Sequence, residues 1–280
     1  MENNRIPRPT PEVLPAASPF APQTFVVASL ITSILIIFLF SRKRASSKGT
    51  AFLLVGPSDA GKTAILSQLA FKQTLPTQTS MQTNFATVVL SSKKTVPLID
   101  IPGHPRLRGQ FVEQMHSTKV VGFVVDVSTI SRNASVVAEH LHHILHALTS
   151  LPPSRHQPAL LILAHKCDLL KTSSTTPNSN PTALAINRVK TILERELEKR
   201  RVSQTGGINI EGLGEEGEAT EMGGLNCGEK EGSAFRFDEW EGGEVSFLGT
   251  SVMSNASQPS EKNEGDSVLE SLWEWMEENL

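Results

Sequence analysis

The chain has 280 residues, 39% of them hydrophobic and 20% charged, with a formal net charge of −3. This composition suits one globular domain with appended segments, and only two cysteines argue against a fold held together by disulfides. Residues 1–200 hold 22 Lys and Arg against 11 Asp and Glu, whereas residues 201–280 hold 4 against 18, so the net charge alone identifies no partner.

An uncharged, mostly apolar segment over residues 21–40 is the first predicted element. At ~1.5 Å rise per residue, a helix of this length reaches about 30 Å, the thickness of the hydrocarbon core of a membrane. The basic linker 41–49 follows it, whereas the Pro-rich tail 1–20 contains few basic residues. The positive-inside rule therefore predicts a single-pass transmembrane helix, with a short lumenal tail and the domain 50–280 in the cytosol. A cleaved signal peptide, the alternative, would place its basic residues before the apolar run.

Residues 50–280 alternate short apolar runs with helical patterns, which predicts an α/β fold with a doubly wound, mostly parallel sheet flanked by helices. The predicted strands are 51–55, 85–90, 96–99, 120–125, 159–164 and 245–249. The predicted helices are one that follows the glycine-rich turn after the first strand, then 136–148, 184–202 and 268–276. Over about 203–243 the chain is rich in Gly and Glu, which predicts a disordered acidic insertion.

Four histidines lie within the predicted helix 136–148, at positions 140, 142, 143 and 146. Residues 142 and 146 are helical neighbours and could suggest a metal site. The apolar residues between the histidines are expected to form the buried face of the helix. We therefore expect the histidines to face mostly solvent.

A phosphate-binding loop lies between the first strand and the following helix. The match to G-x-x-x-x-G-K-[ST] comprises Gly56, Pro57, Ser58, Asp59, Ala60, Gly61, Lys62 and Thr63. In this motif glycines let the backbone amides point at phosphate, the Lys side chain carries the positive charge, and the Thr hydroxyl binds Mg²⁺. The sequence therefore predicts a P-loop NTPase.

Two later motifs follow predicted strands. Asp100 directly follows the strand 96–99, where a carboxylate would hold Mg²⁺ through water. The backbone amide of Gly103 would contact a γ-phosphate. His165, Lys166 and Asp168 follow the strand 159–164. Asp168 could accept both the N1–H and the exocyclic amine of guanine, a pairing that adenine cannot offer, while Lys166 lies along the base. GTP or GDP is the predicted nucleotide.

In this order the motifs resemble the Ras-like small GTPases, and within them the β subunit of the signal recognition particle receptor. The resemblance runs from about residue 50 to the end. It rests on the apolar span, T-Q-T-S at 77–80, D-I-P-G-H at 100–104, the stretch 235–251 and the closing Trp-containing helix. It implies that Thr79 is the Mg²⁺ ligand of the first switch, with Thr77 a close alternative, and that Ser251 and Val252 lie beneath the guanine.

Two departures from the family pattern affect the expected chemistry. His165 replaces the Asn that usually begins the base motif, so we expect a less tightly tethered nucleotide. His104 stands where many relatives carry Gln and is the candidate for positioning water. We expect at most slow intrinsic GTPase activity, because fast turnover in this class needs an oriented water or an arginine finger.

The resemblance implies a membrane-anchored subunit at the endoplasmic reticulum. Its partner would be the receptor's α subunit, with the ribosome and the translocon as further contacts, and no sequence-specific binding of nucleic acid is expected. Two alternatives remain open: a constitutive tether with permanently bound nucleotide, and an Arf- or Sar-like trafficking GTPase.

Overall fold

The computed structural model describes residues 49–73, 75–170, 180–206, 223–228, 234–252 and 264–280. The predicted lumenal tail 1–20, the transmembrane helix 21–40 and nearly all of the basic linker lie outside the described residues. Within the described ranges, no helix is both long and apolar enough to cross a membrane.

One six-stranded sheet forms the centre of the described domain, in the order β2-β3-β1-β4-β5-β6. Its strands are β1 (Ala51–Val55), β2 (Asn84–Val89), β3 (Thr95–Asp100), β4 (Thr118–Asp126), β5 (Ala159–His165) and β6 (Val245–Thr250). Strand β2 is antiparallel to β3, and the other neighbouring pairs are parallel. The predicted mixed α/β fold with a mostly parallel sheet is confirmed.

Helices cover both faces of this sheet. They are α1 (Lys62–Phe71), the short α2 (Phe111–Gln114), α3 (Ile130–Thr149), α4 (Pro181–Gly206) and α5 (Glu264–Asn279). Residues of α3 and α4 share one hydrophobic cluster with Leu53 and Phe123. Residues of α1 and α5 share a second cluster with Phe52 and Leu54. Successive residues of β1 thus point to opposite faces, and both faces are buried, which explains the continuous apolar sequence of the strand.

The carboxyl ends of the parallel strands lie at one edge of the sheet. The phosphate loop follows β1, the D-I-P-G-H segment begins at the last residue of β3, and the base motif begins at the last residue of β5. Residues 251 and 252 follow β6 at the same edge. Ligands of open α/β sheets bind at this edge, so the fold brings the predicted motifs together.

The predicted disordered insertion over 203–243 is wrong for the parts that are described. Residues 203–206 continue α4, while Leu225, Phe235 and Trp240 are 3%, 1% and 6% exposed. Trp240 donates its indole N–H to the carbonyl oxygen of Gly224 at 2.8 Å. Leu225, Phe235 and Trp240 are irregularly spaced, so neither a helical nor a strand period reveals them, yet all three are buried in the core. Residues 207–222 and 229–233 lie outside the described residues.

The expectation that the histidines of α3 face mostly solvent is also wrong for two of them. His140 and His142 are 2% and 3% exposed. The ring of His140 packs edge-on against Phe123, with 5.6 Å between centroids, and His142 Nε2 lies 3.3 Å from the carbonyl oxygen of Gly223. A segment more than 80 positions away in sequence therefore covers part of this helix, which local periodicity cannot reveal.

Candidate nucleotide-binding site

A cleft of about 350 Å³ lies at the carboxyl edge of the sheet, a volume within the usual range for small-molecule sites. Residues predicted for nucleotide binding that line it are Ser58, Asp59, Gly61, Lys62, Thr63, Thr77, Thr79, Gly103, His165, Lys166, Asp168 and Val252. The lining also includes residues that were not predicted, namely Ala64, Gln78, Ser80 and Leu169. The predicted residues outside the lining are Gly56, Pro57, Ala60, Asp100, His104 and Ser251.

Two glycines of the phosphate loop have backbone conformations that other residues rarely adopt. Gly56 has φ 143° and Gly61 has φ 99°. A Cβ atom on Gly56 would lie 2.3 Å from the carbonyl oxygen of Val124, and one on Gly61 would lie 2.3 Å from the imidazole Cδ2 of His165. The loop therefore requires glycine at both positions, for its conformation and for the space around it.

The side chain of Lys62 folds back over this loop. Its ammonium donates hydrogen bonds to the carbonyl oxygens of Gly56 at 2.9 Å and Pro57 at 2.8 Å, and the residue is only 6% exposed. Burial lowers the pKa of Lys62 to about 8, although the carboxylates of Asp100 and Asp59 act to raise it. A positive charge in such a poorly solvated place gains from an anionic ligand.

Four oxygen- or amide-bearing side chains meet beside the loop. Thr63 Oγ1 donates to Asp100 Oδ2 at 2.6 Å and lies 3.0 Å from Ser80 Oγ. Asn84 donates to the same carboxylate oxygen at 3.1 Å and to Ser80 at 3.2 Å. The other oxygen of Asp100, Oδ1, is buried and has no hydrogen-bond partner among the described residues. Burial raises the pKa of Asp100, although hydrogen bonds from Thr63 and Asn84 oppose this.

An orphaned carboxylate oxygen next to two hydroxyls fits a hard divalent cation and its water ligands, because Mg²⁺ prefers oxygen donors. The hydroxyl of the first switch that lies next to Thr63 and Asp100 is that of Ser80, not that of Thr79 or Thr77 as the sequence predicted. Thr79 donates to Asp59 Oδ1 at 3.1 Å on the exposed rim, whereas Ser80 lies against Thr63. Residues 75–80 form an irregular loop, so sequence spacing alone could not choose among Thr77, Thr79 and Ser80.

The second switch approaches the phosphate loop at Gly103. A Cβ atom at this position would lie 2.4 Å from the backbone nitrogen of Ser58, so the two backbones are close enough to exclude any side chain. His104 accepts a hydrogen bond at Nδ1 from the backbone N–H of Arg106, at 3.3 Å. Since His104 does not line the cleft, its assignment as the water-positioning residue stays a prediction.

The base motif contacts both the phosphate loop and strand β6. His165 is 2% exposed and shares a 2.9 Å hydrogen bond with Thr250 Oγ1 through Nδ1. Burial lowers the pKa of His165 to about 4, so the imidazole is neutral at physiological pH. Lys166 donates to the carbonyl oxygen of Asp59 at 2.8 Å and pairs with Asp126 at 2.7 Å. Asp168 is exposed in the cleft lining, as expected for a base acceptor.

Four of these residues were given no individual role from the sequence: Ser80 and Thr250, which lie in predicted motifs, and Asn84 and Asp126, which do not. Asp126 had a detectable signal, because it directly follows the continuous apolar run 120–125, and a carboxylate at the end of a buried strand points to a site. Thr250 ends β6 in the same way. Ser80 and Asn84 lie in or next to an irregular loop, where sequence gives no side-chain direction.

A family model described as the signal recognition particle receptor beta subunit matches residues 47–243. The chain belongs to this family. The family's rat and human beta subunits are 33% and 32% identical to it over 183 residues, which is 64% of this chain. The beta subunit of Dictyostelium discoideum is 29% identical over 199 residues. The matched region spans about 62% of the length of the rat relative.

Two solved structures of the family extend the comparison. The mammalian SRP receptor structure superposes with a TM-score of 0.61 at 26% identity and covers 82% of this chain and 100% of its own. A Chaetomium thermophilum SRb-GTP/SRX complex gives a TM-score of 0.59 at 21% identity, with the same coverage. The second likeness establishes a shared fold.

Proposed function

We propose that the chain is the membrane-anchored, GTP-binding subunit of a signal recognition particle receptor. In this role it holds the receptor's α subunit at the endoplasmic reticulum while ribosomes with nascent chains are targeted there. One observation carries the proposal: in a member of this family, Thr63, Ser80 and the orphaned carboxylate oxygen of Asp100 converge beside a phosphate loop.

GTP or GDP with Mg²⁺ is the ligand that these residues fit. Lys62 and the amides of the phosphate loop would hold the phosphates, and Asp168 with Lys166 would hold the guanine. Thr63 and Ser80 would bind Mg²⁺ directly, and Asp100 through water. When bound there, Mg²⁺ would neutralise part of the negative charge on the phosphates.

The contacts of the switch segments support a switch with slow turnover. Ser80 contacts Thr63, and Gly103 lies against the phosphate loop, so a change at the phosphates would reach both segments. No arginine is among the described residues that line the cleft, and His104 lies outside it. The described residues therefore offer little to accelerate hydrolysis, which supports slow turnover unless a partner supplies the missing group.

The membrane part of the proposal rests on the sequence. The uncharged segment 21–40 and the basic linker after it support a single span with the domain 50–280 in the cytosol. The ribosome and the translocon remain proposed contacts. Because the matched region covers less than two thirds of the rat and human relatives, the partners of those longer proteins are part of the proposal too.

Partner capture tests the switch against a constitutive tether. Thr63→Asn removes the hydroxyl proposed for Mg²⁺, so GTP should lose more affinity than GDP. For a switch, the folded mutant should stay in the membrane but capture little α subunit from detergent-solubilised membranes, even with added GTP. Undiminished capture by the folded mutant in GDP would contradict the switch and favour the tether.

Base choice gives an independent test. Asp168→Asn replaces an acceptor pair by one acceptor and one donor, so preference should move from guanine toward xanthine nucleotides. A competition assay with GTP and XTP measures this. Unchanged GTP affinity would show that Asp168 does not read the base.

A further inference from the structure

Asp126 lies outside every motif that the sequence analysis used, yet it contacts the base motif directly. It is the last residue of β4, and its register partner in β5 is His165. Its Oδ2 lies 2.7 Å from the ammonium of Lys166, and the same ammonium donates to the carbonyl oxygen of Asp59 at 2.8 Å. Lys166 therefore bridges a carboxylate on one side and the phosphate loop on the other.

The carboxylate of Asp126 is itself held in place. Its Oδ1 accepts hydrogen bonds from the backbone N–H of Ser128 at 2.8 Å and from the hydroxyl of Ser128 at 2.6 Å. The side chain is 10% exposed. Burial alone would raise the pKa of Asp126, but the hydrogen bonds from Lys166 and Ser128 outweigh burial and lower it. The group is thus a fixed anion that faces the base loop.

We propose that Asp126 is a positioning residue for guanine nucleotide, acting through Lys166. It holds the Lys166 ammonium on the Asp59 carbonyl, and so joins the loop that binds the base to the loop that binds the phosphates. This inference rests on the nucleotide-binding function proposed above. Without the carboxylate, the flexible lysine stem loses one of its two anchors, and a bound nucleotide must order both loops itself.

Because His165 stands where the family usually has Asn, the contact of Lys166 with Asp126 and the phosphate loop has a larger role in this chain. The usual Asn of the base motif offers an amide with both donors and an acceptor, whereas the neutral imidazole offers one donor and one acceptor. In this structure Nδ1 of His165 is engaged by Thr250 of β6. The polar side-chain contact from the base motif to the phosphate loop is then made by Lys166, and Asp126 fixes that contact.

A double-mutant cycle on the full chain in detergent tests the proposal. The measured quantity is the dissociation rate of a fluorescent GDP analogue from wild type, Asp126→Asn, Lys166→Met and the double mutant. We expect each single change to raise the rate about tenfold, and the double mutant to match Lys166→Met, because partners in one network are not additive. If Asp126 acted on the structure independently of Lys166, the two single rate increases would multiply in the double mutant. Multiplying effects, or an unchanged rate in Asp126→Asn, would overturn the proposal.

Two further variants keep the result interpretable. Ser128→Ala loosens the carboxylate without removing its charge and should raise the rate about two- to threefold, which serves if Asp126→Asn does not fold. Asp238→Asn removes the carboxylate of an exposed pair with Lys190 and should leave the rate unchanged. A wild-type chain that binds no guanine nucleotide would contradict the proposed function itself, whereas binding with no effect at Asp126 would contradict only this inference.

Discussion

At the scale of single residues, two buried imidazoles shape how the domain responds to acid. His165 lies under the phosphate loop, and His140 packs on Phe123 with its Nε2 buried and without a hydrogen-bond partner in the described part of the chain. Burial lowers the pKa of His165 to about 4 and that of His140 to about 3, from an ordinary value of 6.5. Both side chains are therefore neutral in the folded domain at pH values where the unfolded chain would protonate them.

This difference predicts a loss of stability on mild acidification. Between pH 6.5 and about 4 the unfolded state binds a proton at His165 that the folded state does not, so the contribution of His165 to stability falls as pH falls and is constant above 6.5. Each such histidine contributes a slope of about 1.4 kcal/mol per pH unit. His165→Asn should reduce the slope by about this amount in urea unfolding of residues 45–280 between pH 7.5 and 5. His156→Asn, at an exposed position, is the matched control, and an unchanged slope in His165→Asn would count against the buried neutral imidazole.

His140 offers a second residue-scale prediction. Its buried Nε2 has no hydrogen-bond partner within the ranges that the structure describes, and such an atom costs about 1–3 kcal/mol. His140→Leu keeps an apolar side chain of similar size against Phe123 and removes that cost. We expect the mutant to melt at the same temperature as wild type or higher at pH 7. A large drop in melting temperature would mean that the imidazole has a partner that is essential to the fold.

At the scale of elements, one carboxylate joins the second switch to two helices. Glu139 of α3 accepts a hydrogen bond from Arg108, which lies in the short helical turn Arg108–Gln110 after the D-I-P-G-H segment. Arg200 of α4 lies 3.5 Å from the other oxygen of Glu139 and donates to the carbonyl oxygen of Ser135 at 3.1 Å. The hydrogen bond from Arg108 lowers the pKa of Glu139, so this contact is charged at neutral pH.

Loss of this carboxylate should loosen the switch more than the fold. Glu139→Gln weakens the attraction for Arg108, and a partly exposed ion pair contributes only about 0–1 kcal/mol to global stability. We expect amide exchange over residues 104–117 to accelerate several-fold, while the melting temperature changes little. Glu113→Gln, an exposed change on the same segment, is the control. Equal protection in both mutants would show that Arg108 does not hold the switch.

The segment around Trp240 is an element that local patterns could not reveal. Trp240 is 6% exposed, and its indole bonds to Gly224, so Trp240→Ala should cost about 3–5 kcal/mol of unfolding free energy. Val202→Ala, at a position 57% exposed, should cost less than about 0.5 kcal/mol. A mild effect of Trp240→Ala would restore the original interpretation of this segment as an insertion.

At the scale of the whole molecule, the sequence predicted the strands and motifs that depend on local pattern. It did not predict the contacts between segments that are far apart in the chain. Strands β4 and β5 are buried on both faces, so their continuous apolar runs predicted them within two residues. The phosphate loop was predicted because its chemistry fixes the spacing of its residues, and Asp100 because it directly follows a predicted strand. Ser80, Asp126 and the burial of His142 depend on which distant segment lies opposite. Periodicity carries no such information.

The uneven distribution of charge along the whole chain predicts its membrane topology. Basic residues cluster in the linker 41–49, directly after the uncharged segment 21–40, and the positive-inside rule predicts that this end faces the cytosol. Protease added to intact microsomes should therefore digest the domain 50–280 and spare only a small N-terminal fragment. Reversing the bias, by replacing the basic residues of 42–48 with Gln and adding Lys within 1–20, should shift part of the population to a protected form. A resident lumenal protein that stays intact until detergent is added controls for sealed vesicles. Complete protection of the wild-type domain in such vesicles would overturn the proposed orientation, and with it the placement of the nucleotide site in the cytosol, where GTP and the α subunit would reach it.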